Sequence, residues 1–296
     1  MKKLFISVDL DEFYHVRWVS GSTNSLYSNR KQYFEDINGS NQCDNDLKEQ
    51  TRIILDHFSY RDIQSTFFIP GEVGENYPEL VKLISSFGHE IACHSYRHID
   101  LSLHSKESFQ NELIKAKELL ENLVGKEVFG FRMPNLIIKD WVKDILLGCG
   151  FKYDSSICPS RSLTGKFGNY LGYPNYPYRT ENNSFKLGDS EFWEFPLPVF
   201  PLLKLPGGTS HFTRAIGKWW TYITLLNIQC QGKIPSYYFH PWELGNIPSG
   251  IKMDTFYKKL YTRHTGKWMQ NFLLSFIQSY HCFGYQEFLR SEGIIQ

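Results

Sequence analysis

Leu4-Phe5-Ile6-Ser7-Val8-Asp9-Leu10-Asp11-Glu12 is the stretch on which the reading of the fold turns. Leu4 to Val8 is a short apolar run with β-branched residues, the signature of a buried strand. Asp9 and Asp11 follow at once, interrupting the run before the apolar region of a signal peptide could form behind Lys2 and Lys3. Two carboxylates leaving a strand end two residues apart can point to the same side and share a site. An isolated pair of this kind is most often a solvated loop start, so its company along the chain decides its meaning.

Moving outward, short apolar runs alternate with amphipathic stretches, the pattern of strands and helices taking turns around a largely parallel sheet. Helices are expected over 47–58, 78–87, 105–124 and 140–147. Strands are expected over 65–69, 90–93, 128–132 and 151–154. Pro78 begins one helix, while Gly88, Gly125 and Gly148 close three of them. Beyond residue 154 the regularity weakens: strands are expected at 193–196 and 236–239, with an apolar helix near 216–229. A polar segment from about Gly21 to Asp46 reads as a long loop off the scaffold. At 296 residues and 42% hydrophobic, without an internal repeat, the chain is expected to form one domain over 1–296.

Composition removes several classes of function. Lys+Arg number 32 against Asp+Glu 31, so no basic field exists to concentrate nucleic acid. The most apolar stretch, around Trp219 to Ile228, is too short to span a bilayer. A cytoplasmic protein is expected, in which the sequons at Asn38 and Asn182 are incidental. Six cysteines without CxxC spacing read as reduced thiols, mostly buried. His89-Glu90-Ile91-Ala92-Cys93 imitates the HExxH zinc-protease motif, but Cys93 stands where the second histidine belongs.

Parallel α/β folds carry their chemistry at the C-terminal ends of strands. Asp9 and Asp11, His94 and His98, Arg132, Asp154 and His240 all fall at such ends. His94 and His98 are four residues apart, which on a helical turn would put both imidazoles on one face as a chelating pair. Arg132 precedes a rigid Met133-Pro134 turn, and His240 ends an aromatic strand where a partly buried imidazole can serve as general acid.

Taken in order, these segments resemble the polysaccharide deacetylase family, carbohydrate esterase family 4, and within it a bacterial branch with a C-terminal HPWE signature. The likeness rests on Ser7 to Val16, Ser65 to Phe68, Gly88 to Ile91 leading into HxxxH, Gly130 to Asn135, Gly150 to Ser156, Glu194 to Leu197, and His240-Pro241-Trp242-Glu243. It implies a distorted (β/α) barrel with Asp9 as base, Asp11, His94 and His98 as metal ligands, Arg132 as the residue orienting the base, and His240 as general acid supported by Asp154. Leu10 separates the two aspartates, which are adjacent in many members, so Glu12 competes with Asp11 for the metal. Tyr237 stands where an aliphatic residue often lines the acyl pocket.

Two imidazoles and a carboxylate suit Zn²⁺, and Co²⁺, Mn²⁺ or Fe²⁺ would accept the same ligands. The expected reaction is hydrolysis of the N-acetyl group of an acetamido sugar, in a glycan or a lipid-linked sugar. A backbone N–H near Asn135 is the expected oxyanion donor. A deformylase acting on a lipid-linked formamido sugar and an inactive carbohydrate-binding module are the alternatives. The polar loop at 21–46 and the aromatic loop Tyr170 to Tyr178 are expected to frame the substrate cleft.

Overall fold

The computed structural model describes residues 2–20, 22, 25–38, 47–161 and 170–295. The strands in chain order are β1 (Lys2–Asp9), β2 (Thr66–Ile69), β3 (Glu90–Cys93), β4 (Gly130–Phe131), β5 (Tyr153–Asp154), β6 (Tyr178–Arg179), β7 (Trp193–Glu194), β8 (Ser236–Phe239) and β9 (Tyr280–Phe283). They form one curled sheet in the order β6-β7-β5-β4-β3-β2-β1-β8, with β9 pairing β1. All pairings are parallel except β6 with β7. Helices surround the sheet, and the result is the distorted (β/α) barrel.

Strands in such a fold are buried on both faces, and β1 shows how each face is used. Leu4, Ile6 and Val8 join the outer layer, which packs against helices through residues such as Ile54, Phe67, Leu113 and Phe276. Phe5 points the other way, into an inner layer with Phe68, Ala92, Tyr153, Phe195, Phe283 and Tyr285. Each fully buried ring of this kind contributes about 1.5–3 kcal/mol by leaving water. Alternation then carries Ser7 and Asp9 onto the inner face above Phe5. β1 is thus held by its own core residues, in a register fixed by Ser7↔Thr66 and Val8↔Phe239. Gly130 on β4 is required by the same packing, because a Cβ there would lie 2.0 Å from the Tyr153 ring.

The described part of the polar segment departs from the expected loop. Arg30–Asn38 is a helix whose Tyr33 and Ile37 pack with Phe13, Tyr14, Val19 and Trp242. Its apolar positions, four apart, are diluted by polar neighbours, which is why the segment reads as loop. Residues 39–46, with Cys43 and the end of the Asn38 sequon, lie outside the described residues. The helix expected near 216–229 is present as Lys218–Gln229, and a further helix, Ser210–Ile216, precedes it, ended at Gly217, whose φ is 125°. Helices Phe256–Tyr261, Lys267–Ile277 and Tyr285–Ser291, and strands β6 and β9, complete the weakly patterned half. Cys93, Cys158 and Cys282 are free and buried, Cys149 is half-buried and Cys230 is exposed.

Candidate metal centre and active site

Arg132 leaves β4 as a fully buried guanidinium with every side saturated. Its Nε donates to the Ser155 carbonyl at 2.9 Å, and one terminal nitrogen donates to the Ser155, Ser7 and Tyr285 hydroxyls at 2.7, 3.1 and 3.2 Å. The other terminal nitrogen donates to Asp9 Oδ1. Below it lies the Phe68 ring, 4.1 Å from the guanidinium carbon. Burial works against the charge, but Asp9 outweighs it and Arg132 stays cationic. A side chain held this way presents Asp9 in one orientation, with Oδ2 free to face the site.

Asp11, His94 and His98 converge beside it, their ligand atoms within 4.8 Å of one another and all three residues buried. His98 Nε2 lies 3.2 Å from Asp11 Oδ2, and His94 Nε2 lies 3.9 Å from Asp9 Oδ2. The His94 Nδ1 hydrogen-bonds the Arg132 carbonyl at 2.7 Å, which makes Nδ1 the protonated nitrogen and leaves Nε2 as a lone-pair donor. Burial brings the His94 pKa down to about 4, so its imidazole is neutral as a ligand must be. Burial alone would push Asp11 up, yet His98, then His94 and His15, hold it below the usual carboxylate range. Asp11 Oδ1 and His98 Nδ1 are buried without a hydrogen-bond partner among the described residues. Polar atoms left bare in this way are costly, and a cation bound at Asp11 would relieve part of that cost. The donor set fits a divalent metal.

His240 completes the constellation from the end of β8. Its Nε2 sits 4.0 Å from Asp9 Oδ2 and 3.9 Å from Asp11 Oδ2. Glu243 lies behind it, Oε1 3.6 Å from His240 Nδ1, while Oε2 accepts from the His240 N–H at 3.0 Å. Arg214, itself buried, donates to Glu243 Oε1 from both Nε and a terminal nitrogen, at 3.1 and 2.7 Å. Burial would lower the His240 pKa, and Glu243 raises it above the ordinary value instead.

Four expectations need correction. His94 and His98 do not share a helical turn: they flank an irregular turn after β3 in which Ser95 has φ 63°, and the bend rather than helical spacing brings them together. Glu12 does not compete for the metal, because Arg30 grips both its oxygens at 2.8 Å and Tyr77 donates to it at 2.6 Å. Asp154 does not support His240; it accepts from the Ser156 N–H and hydroxyl, and that hydroxyl accepts from Met133 N–H. Tyr237 faces outward against Phe276, its hydroxyl 3.1 Å from Thr213. Tyr238 is the inward residue, 4.9 Å from the Arg132 guanidinium and 5.3 Å from the His240 ring.

The cleft is also built differently from expectation. A cavity of about 590 Å³ opens beside His98, lined by Tyr14, Ser25, Tyr27, Asn29, Arg30 and Glu72 among others, so the early polar segment does frame it. Tyr170 and Tyr178 are packing residues, buried and bonded to the Ile138 and Phe185 carbonyls. His15 and Glu72 were missed by sequence reasoning: His15 is buried 5.6 Å from the His98 ring and 3.1 Å from Glu72. His15 lies within the opening motif, but no spacing rule pairs it with Glu72.

Residues 34–153 match the family model described as polysaccharide deacetylase. A Bacillus cereus peptidoglycan-N-acetylglucosamine deacetylase is 38% identical over 77 residues, which is 26% of this chain and 28% of that protein. A Helicobacter pylori peptidoglycan deacetylase is 32% identical over 104 residues, 35% of this chain and 36% of the relative. These matches span only about a third or less of the relatives' lengths. Over the whole fold the chain resembles a solved Mycobacterium smegmatis structure described as a polysaccharide deacetylase, with TM-score 0.62 and 19% identity, covering 99% of this chain and 91% of that one. At that identity the likeness speaks to the fold alone.

Proposed function

We propose that this protein is a metal-dependent hydrolase that removes the N-acetyl group from an acetamido sugar in a bacterial glycan or its precursor. The observation that carries the reading is the placement of Asp9, with Arg132 on one oxygen, and His240 and the three-residue metal set around the other. A binding module needs no base, orienting cation and acid in one place. The names of the relatives, which act on peptidoglycan, support an N-acetylated glycan as substrate.

Asp11, His94 and His98 would hold the ion, for which Zn²⁺ is the best match to two imidazoles and a carboxylate. A bound divalent cation would supply Lewis acidity toward the amide carbonyl and acidify water. Asp9 takes the proton from the attacking water, and Arg132 both aims the carboxylate and balances its charge. His240, with Glu243 behind it, delivers a proton to the departing sugar nitrogen, which would otherwise be too basic to leave. The tetrahedral oxyanion needs a further donor. Met133 N–H is engaged by Ser156 and Leu136 N–H by the Met133 carbonyl, and Pro134 has none, so the Asn135 N–H is the donor the turn leaves over. The cavity beside His98, rich in hydroxyl, amide and tyrosine groups, suits sugar rings and their hydroxyls.

The test is acetate release from a panel of N-acetylated oligosaccharides, peptidoglycan fragments, nucleotide sugars and lipid-linked sugars, with formylated analogues in parallel. Acetate should appear from at least one glycan, stop on chelation and return with Zn²⁺. Release of formate alone would move the assignment to a deformylase. No release from any substrate by fully metal-loaded protein would overturn it.

A further inference from the structure

We propose that the face formed by the loop 200–205 and the helix Lys218–Gln229 docks on an anionic lipid bilayer. Three observations meet there. The first is exposed apolar surface in one continuous strip. Trp219, Ile223 and Leu226 are exposed at positions four and three apart, so they line one side of the helix, and Ile216 precedes them. Beside them the loop turns tightly, with the Lys204 N–H donating to the Phe200 carbonyl and the Phe200 N–H to that of Leu205, so that Leu202 and Leu203 form its tip. Leu202 is 79% exposed. Loop and helix belong to one surface because the Phe200 ring stacks on Trp220, centroids 3.9 Å apart, and meets Trp219 edge-on at 6.1 Å.

The second observation is charge. No Asp or Glu stands between Glu194 and Glu243, a span in which the chain's average acid content would place about five. The same span holds Lys204, Lys218 and Lys233, all exposed. Arg161 is exposed next to the loop, its N–H bonded to the Lys204 carbonyl. In a chain whose charges nearly cancel, the span that forms this apolar face therefore carries cations and no carboxylate. That is complementary to anionic headgroups over an acyl boundary, whereas it would set one copy of this face against another with like charges opposed.

The third is the geometry of the strip. The helix is apolar on both its exposed and its buried side, where Trp220, Leu225 and Ile228 anchor it to the fold, and it is only 12 residues long, so it can lie on an interface but not cross it. No helix among the described residues is long and apolar enough to span a membrane. A tryptophan at the level of flanking lysines is the arrangement that headgroup regions favour. The base of the loop runs into the site: Leu197 and Val199 pack against Tyr238, the residue beside Arg132 and His240. Docking would hold the catalytic mouth next to the membrane surface.

The experiment is cosedimentation of the purified protein with vesicles of phosphatidylglycerol and phosphatidylcholine, compared with phosphatidylcholine alone, at low and high salt. Two variants accompany it, Leu202→Ser/Leu203→Ser and Lys204→Gln/Lys218→Gln/Lys233→Gln, all at exposed positions and each checked by circular dichroism. The wild type should bind the anionic vesicles and be released by salt. The lysine variant should bind roughly tenfold or more weakly and the leucine variant roughly tenfold more weakly. Absence of binding to anionic vesicles by the wild type, or undiminished, wild-type binding by both variants, would overturn the proposal. So would sedimentation velocity showing a wild-type dimer that the leucine substitutions dissociate, without vesicle binding, since the strip would then cover a second copy.

Discussion

Two pairs of buried carboxylates sit at strand ends in this molecule, and they have opposite electrostatic fates. Asp9 and Asp11 at the end of β1 face Arg132, His94, His98 and His240. Asp154 and Glu194 at the ends of β5 and β7 lie side by side in the sheet, with no cation among the described residues bonded to either. Burial raises the Asp154 pKa to about 6 and pushes Glu194 well above the carboxylate range, and Glu194 Oε2 has no donor among the described residues. Burial thus favours the protonated form in the second pair, whose other oxygens hold Ser156 and the Ile157 N–H in place. Equal burial therefore says nothing about role; the company of cations does.

The contrast can be broken most severely at the first pair. His98→Ala should leave the purified protein without bound metal by elemental analysis, and without turnover. Asp9→Asn should retain the metal while kcat falls by about 10² to 10⁴, the usual contribution of a positioned base. A metal-free Asp9→Asn protein whose activity returns on adding metal would mean that base and ligand had been exchanged.

A smaller effect separates the two acids that could serve His240. Glu243→Gln strands Arg214 without its buried carboxylate, so unfolding should become easier by about 3–5 kcal/mol and kcat should fall by about tenfold or more. Asp154→Asn should leave kcat nearly unchanged. The reverse pattern in steady-state kinetics would restore Asp154 as the supporting acid.

The smallest effect concerns the second pair and pH. Its folded pKa values are raised, so the folded state holds a proton that the unfolded chain releases near pH 4. That stabilisation is complete below pH 4 and is lost as pH rises through about 6 and beyond. Glu194→Gln replaces the protonated acid with a permanent N–H donor. Relative to wild type, the variant should gain about 1–3 kcal/mol of stability between pH 4 and pH 7 in denaturant titrations. Parallel pH profiles for the two proteins would show that the pair carries no proton.

The first half of the barrel was legible because each strand and helix there buries a patterned face. The expected 90–93 and 236–239 strands stand as read, and the helices at 47–60, 78–86 and 106–124 differ from expectation by no more than two residues at either end. β6 escaped because a two-residue pairing carries little periodicity. The candidate ligands Asp11, His94 and His98 were legible as residue types, whereas their convergence depends on the Ser95 bend, which no spacing rule announces. Glu243 was quoted within a motif, but its role depends on Arg214, 29 residues earlier in the chain, and such a contact exists only in the folded molecule.

The pairing of β9 with β1 has a consequence for how the protein is made. Leu4 is registered with Cys282, and Tyr285, just after β9, places its hydroxyl against the Arg132 guanidinium that holds Asp9. β1 cannot complete its pairing until β9, nearly the whole barrel later in sequence, has also left the ribosome. Until then its apolar edge is open to mispairing, and contacts of such long range form slowly. Recovery of catalytic activity during refolding should accordingly be among the last signals to return, later than helix content, making turnover a sensitive clock for the closing of the barrel.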